Sequence, residues 1–292
     1  MITGYFMCTG KITARKFAKL LAQIYFYRIL FFLVFLLTGY ETLSGTGIIK
    51  LLMPFWGLKN GFTSCFIVFY LTIPFWTILV QNMNKRQHEL LLFLLLGCYT
   101  ILGSIPTFTV SFNYITWFGI IYLIASFIRI YPLPVFESRR LWGWITLVIV
   151  LMAVVSIVVL QKLFGAGLFL LIDCNKFFAV LIAISSFLWF KNMNIKYSKV
   201  INAFGAASFG VLLIHAHSDA MRIWLWKDVI DAVGHYQLPI LQLAIFSVSV
   251  VFVVFIICNL IDQLRIATIE KAFLKWYDKH IDNKLNIFIK TE

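Results

Sequence analysis

The chain has 292 residues, of which 62% are hydrophobic and 13% charged, with a mean hydropathy of +0.92 and a formal net charge of +13. A soluble domain carries about a quarter of its residues as charges, so this composition excludes an ordinary water-soluble fold and predicts an integral membrane protein. Five cysteines (Cys8, Cys65, Cys98, Cys174, Cys258) stand singly, which excludes a redox or metal-binding pair at short spacing and makes them packing residues.

Crossing about 30 Å of hydrocarbon takes roughly 20 helical residues, because unpaired backbone amides are costly in lipid. The apolar runs here are continuous rather than alternating, which selects helices over barrel strands. In chain order, an apolar stub at Ile2–Met7 precedes eight predicted spans: Leu21–Tyr40, Phe62–Val80, Glu89–Ile105, Asn113–Tyr131, Trp142–Leu160, Ile172–Phe190, Val200–Ser218 and Leu238–Ile261. The sixth is the weakest, since Asp173 and Lys176 interrupt it and its clean stretch, Phe177–Phe190, covers only about 21 Å. The fold expected is therefore an all-α, polytopic transmembrane bundle of about eight full spans and one partial one. Short loops and the absence of linkers put residues 1–262 in one transmembrane domain. Residues 263–292 form a basic tail in which Leu264, Ile269, Phe273, Trp276 and Ile281 recur near helical spacing among Arg265, Lys271, Lys275 and Lys279. Such a helix either lies on the inner leaflet or packs on the bundle's end.

Charge orients the chain. With Lys11, Arg15, Lys16 and Lys19 inside, alternation of the spans puts 19 of the 25 Lys and Arg on the inner side, with 7 acidic residues, and leaves 6 basic and 5 acidic outside. The +13 then resolves to +12 on one face and +1 on the other, the positive-inside pattern of a multi-pass protein of the cell membrane with a cytoplasmic C-terminus. The lipid bilayer is thus the first partner, anionic lipid or a phosphate-bearing ligand would suit the inner face, and no nucleic acid is needed to explain the basicity.

Three clusters could carry chemistry. His215, Asp219 and Arg222 follow a long apolar run, and if the helix continues they fall at i, i+4 and i+7 on one face, with His217 turned elsewhere. Asp219 could then orient an imidazole as general base and Arg222 could hold an anion; the same residues equally suit an interfacial anchor. Trp117 and Tyr122 could line a groove for an acyl chain or sugar, or belong to the aromatic belt. Arg129, Arg139 and Arg140 could receive donor phosphates, although positive-inside topology also accounts for them. No P-loop, GxSxG elbow, HExxH motif or metal site is present.

Three stretches together resemble the membrane-bound acyltransferase 3 family, whose polytopic members O-acylate surface glycans. Ile2-Thr-Gly-Tyr-Phe-Met7 with the basic loop through Arg15 and Lys16 is similar to the family's second helix and following loop. Trp117-Phe-Gly-Ile-Ile-Tyr122 through Ile128-Arg129-Ile-Tyr-Pro132 resembles its central WF, Y and IR-YP pattern, and Ser208-Phe-Gly-Val-Leu-Leu-Ile-His215 its late S-F-G-x-Y-L-I-H stretch. The resemblance implies transfer of an acyl group, acetyl from acetyl-CoA above all, to a hydroxyl of a glycan or lipid-linked sugar. On that reading Arg129, Arg139 and Arg140 face the acyl-CoA donor, Trp117 and Tyr122 the substrate, and His215, Asp219 and Arg222 the reacting hydroxyl. Family members have about ten spans, the first supplying an arginine and a histidine that no residue here matches, so the expectation is of an N-terminally truncated member. The alternatives are a transporter or flippase for lipid-linked sugars, against which the lack of an internal repeat counts, and a catalytically inactive membrane partner protein.

Overall fold

In the computed structural model, the described residues are 1–10, 12–53, 55, 56, 58 and 61–281. Lys11 and residues 282–292 of the basic tail lie outside them. Among the described residues every regular element is helical: α1 (Ile2–Met7), α2 (Ala14–Leu37), α3 (Gly45–Leu52), α4 (Phe62–Asn82), α5 (Lys85–Leu96), α6 (Tyr114–Ile130), α7 (Arg139–Phe164), α8 (Phe177–Lys191), α9 (Lys199–His215), α10 (Asp219–Arg222), α11 (Ile240–Arg265) and α12 (Lys271–His280).

Among the described residues five helical segments are long and apolar enough to cross a bilayer, or six if the bent pair Lys199–His215 and Asp219–Val229 is one span. That is fewer than the eight expected from hydropathy. The difference falls on α6 and α8, apolar helices of 17 and 15 residues, which reach only about 26 and 23 Å. Segment boundaries follow local chemistry. Ser138 and Ser198 cap α7 and α9 through their hydroxyls, Asn84 and Gln87 form a capping box on α5, and α7 stops at Gly165 in the left-handed conformation.

The contacts divide the chain into two units. One comprises Met1–Ile12 and Gly57–Ile195. Its centre is α6, whose residues from Tyr122 to Ile128 are all buried; a helix that is apolar all round needs partners on every side. It packs on α4, α5 and α1, while α7 pairs with α8. The stub α1 is an integral part of this unit. Gly4 lies so close to α6 that a β-carbon there would come within 2.8 Å of the Tyr122 Cα, so only glycine allows the approach.

The other unit comprises Thr13–Trp56 and Lys196–Glu292. In it α9 packs on α11, with α2 beside α9 and α12. Arg28, near the middle of α2, donates to the Met53 carbonyl at 3.1 Å, and Tyr25 donates to the Leu52 carbonyl at 2.9 Å. The orphan carbonyls at the end of α3 thus answer a cation that would otherwise be stranded in a span. The helix of α11 runs through a π-helical turn, Ile266–Glu270, into α12 without a break. Its pattern is the reverse of a soluble amphipathic helix: Leu264, Ile269 and Trp276 are exposed, whereas Arg265, Glu270 and Tyr277 are buried.

Candidate functional site

The polar cluster at the end of α9 is built on a broken helix. Regular hydrogen bonding ends at His215; Ala216 leaves the helical conformation, and Ser218 caps the next turn by accepting from the Met221 amide at 3.2 Å. The two arms meet at 93°. His215, Asp219 and Arg222 therefore do not share one helix face, because the continuity that would align them fails at Ala216. Asp219 instead holds Arg222 at 3.1 Å, with both side chains exposed. An exposed pair of this kind contributes at most about 1 kcal/mol.

His215 sits half-buried at the break, with Nδ1 2.6 Å from the Val211 carbonyl. A carbonyl only accepts, so Nδ1 carries a hydrogen, and in the neutral ring the lone pair is therefore on Nε2. Among the described residues Nε2 has no hydrogen-bond partner. The next histidine, His217, turns its ring against Phe31 of α2, with centroids 5.2 Å apart.

About one and a half turns back along α9 from His215, at Gly210, lies an ionic network that the sequence reading did not single out. Asp262 is wholly buried and accepts from Tyr27 at 2.8 Å, Gln23 at 3.3 Å and Arg265 Nε at 2.6 Å. Arg265 also donates to Glu270 at 2.8 Å, and Lys19 reaches the other oxygen of Glu270 at 2.6 Å. Residues five apart diverge on an α-helix but nearly align in the wider π-helical turn, which is how Glu270 comes round to Arg265. Gly210, in the Ser208-Phe-Gly stretch, is where α9 makes room for the Asp262 carboxylate. A charged residue three positions from another at the end of an apolar run was the available signal, but Arg265 read as part of the basic amphipathic tail.

In the other unit, Trp117 and Tyr122 do not line a groove. They are 2% and 1% exposed. Trp117 packs with Ile120, Ile124, Val180 and Leu188, its indole N–H unpaired among the described residues; Tyr122 packs with Cys8, Phe69 and Ile73 and bonds the Thr77 hydroxyl at 2.7 Å. His88, to which the sequence assigned nothing, is fully buried with Nε2 donating to the Leu123 carbonyl at 3.0 Å.

The three arginines separate. Arg129 is on the wall of a hollow of about 1230 Å³ between α1, the end of α6 and α8, where it donates to the Tyr5 hydroxyl at 3.2 Å and lies 5.0 Å from that ring's centre. Glu137, paired with Lys191 at 2.7 Å, and Asn192 complete its polar rim. Arg139 and Arg140 open instead onto a second hollow of about 660 Å³ that shares no lining residue with the first. Among the described residues no three His, Cys, Asp or Glu side chains gather as a metal site would require.

Residues 1–259 match the family model of an acyltransferase domain, that of the acyltransferase 3 family. No curated protein and no solved structure matches the chain. With the match covering nearly nine-tenths of the sequence, and with apolar helices of membrane length throughout it, the chain belongs to the acyltransferase 3 family of membrane acyltransferase-type proteins.

Proposed function

We propose that this protein transfers an acyl group, acetyl from acetyl-CoA in the simplest case, to a hydroxyl of a cell-surface glycan or lipid-linked sugar. The observation that carries the reading is His215: a half-buried imidazole at a helix break, with Nδ1 tied to the Val211 carbonyl and Nε2 left to accept a proton. Nε2 takes the hydroxyl proton as the oxygen attacks the thioester carbonyl carbon. The C–S bond then breaks, the thiolate leaves, and the imidazolium returns the proton to it, giving an ester and free coenzyme A. Asp219 and Arg222, exposed beyond the break, are assigned to holding a polar acceptor rather than to proton transfer. Arg129, on the wall of its hollow with Asn192, is assigned to the phosphates of the donor.

The test is transfer of radiolabelled acetyl from acetyl-CoA to extracted surface glycan by membranes that express the chain. Incorporation above that of control membranes, abolished by His215→Ala and reduced by Arg129→Gln through a raised KM for acetyl-CoA, supports the reading. No incorporation above control, or full turnover in His215→Ala, refutes it.

A further inference from the structure

The second hollow has a different chemistry from the first. Arg139, Gly143, Leu147 and Val150 recur at i, i+4, i+8 and i+11, so they form one stripe down α7. Arg140 stands beside the top of the stripe, and Trp144 and Trp189 flank it. Trp189 lies over Gly143, its Nε1 at 3.1 Å from where a β-carbon would stand, and that N–H has no hydrogen-bond partner among the described residues. Among the described residues no acidic side chain lines the hollow and neither arginine is in an ion pair. Below the arginines the wall is apolar; Thr146 turns its hydroxyl to the Trp142 carbonyl at 2.7 Å and presents no polar group.

We propose that this hollow binds an anionic phospholipid, with the phosphate held between Arg139 and Arg140 and one acyl chain laid along Leu147 and Val150. From Arg139 to Val150 the stripe runs about 16 Å, close to the half-thickness of about 15 Å that an acyl chain fills. Two guanidiniums above an apolar track match a phosphate above a hydrocarbon tail, and indoles prefer that same depth. A nucleotide donor would need several hydrogen-bond partners beneath its phosphates, and this track supplies only the Trp189 indole N–H. The assignment takes Arg139 and Arg140 away from the donor and is independent of the role given to Arg129.

The full chain, released from detergent micelles doped with equal phosphatidylglycerol and phosphatidylcholine, tests this by native mass spectrometry. The wild type is expected to retain phosphatidylglycerol about tenfold over phosphatidylcholine, Arg139→Gln/Arg140→Gln to lose that preference, and Arg139→Lys/Arg140→Lys to keep most of it. Both arginines are exposed, so neither variant disturbs folding. Millimolar inorganic phosphate or coenzyme A is expected to leave the lipid in place. Equal retention of the two lipids by the wild type, an unchanged preference in the Gln variant, or displacement by coenzyme A overturns the proposal.

Discussion

Gly210 of α9 and Asp262 of α11 meet with no room for a side chain between them: a β-carbon at 210 would overlap the Asp262 carboxyl carbon. The glycine of the Ser208-Phe-Gly stretch is thereby explained by packing, since it admits a wholly buried carboxylate that gathers Tyr27, Gln23 and Arg265. Gly210→Ala should displace the carboxylate and disrupt that network, at a cost of about 3 kcal/mol or more. Gly205→Ala on the same helix meets open space and should stabilise by about 0.5–1 kcal/mol. Melting temperatures of the two purified variants, expected to move in opposite directions, check this.

Asp262 and Arg265 form a buried pair in which each charge depends on the other. Asp262→Asn should destabilise by about 1–3 kcal/mol because it leaves the buried guanidinium with Glu270 alone, and adding Arg265→Gln should recover part of the loss, since Glu270 then keeps Lys19 and no buried charge is unpaired. Chemical denaturation of Asp262→Asn, Arg265→Gln and the double variant measures the coupling; strictly additive losses would count against an interdependent pair.

His215→Gln retains a polar side chain at the break but has no base of suitable strength. Turnover should fall by about 10²–10⁴ with protein levels unchanged. Asp219→Asn, which alters an exposed carboxylate paired only with Arg222 among the described residues, should change KM for the acceptor and leave kcat nearly intact. Initial rates at varied acceptor concentration separate the two outcomes.

Tyr122→Phe removes the hydroxyl that meets Thr77 in the core and should cost about 1 kcal/mol of stability. Because Tyr122 is buried among Cys8, Phe69 and Ile73, the change should leave the KM for donor and acceptor where they were. A shift in either KM without a loss of stability would place Tyr122 in a substrate groove instead.

The orientation inferred from charge puts α12 on the cytoplasmic side. A fluorescent protein fused after Glu292 should fold and fluoresce in cells, and alkaline phosphatase fused at the same point should be inactive. The reverse pattern would invert the topology.

Membrane residence, helical class and the family were legible because they rest on composition and on local order along the chain: long apolar runs and three short stretches in sequence. The site was legible only in part. His215 was visible as a polar residue closing an apolar run, but its relation to Asp219 depended on a helix that stops at Ala216. Trp117 and Tyr122 read as surface aromatics because an aromatic residue near a span's end has the same sequence signature in a belt and in a core. Arg265 read as one of the basic residues of an amphipathic tail, and the structure turns it inward beside Glu270.

The sequence by itself determined the solvent this protein folds in and the secondary structure that solvent permits, since both follow from the cost of exposing charges and unpaired amides to hydrocarbon. Only the tertiary structure decided which way each helix faces and which distant residues meet: Asp262 with Tyr27 across 235 positions, Lys19 with Glu270, and Arg129 apart from Arg139 and Arg140. The physical reason is that lipid is as apolar as a protein core. Hydrophobic periodicity therefore does not mark the inner face of a membrane helix, and that face is set by the few polar groups and small residues that must find one another.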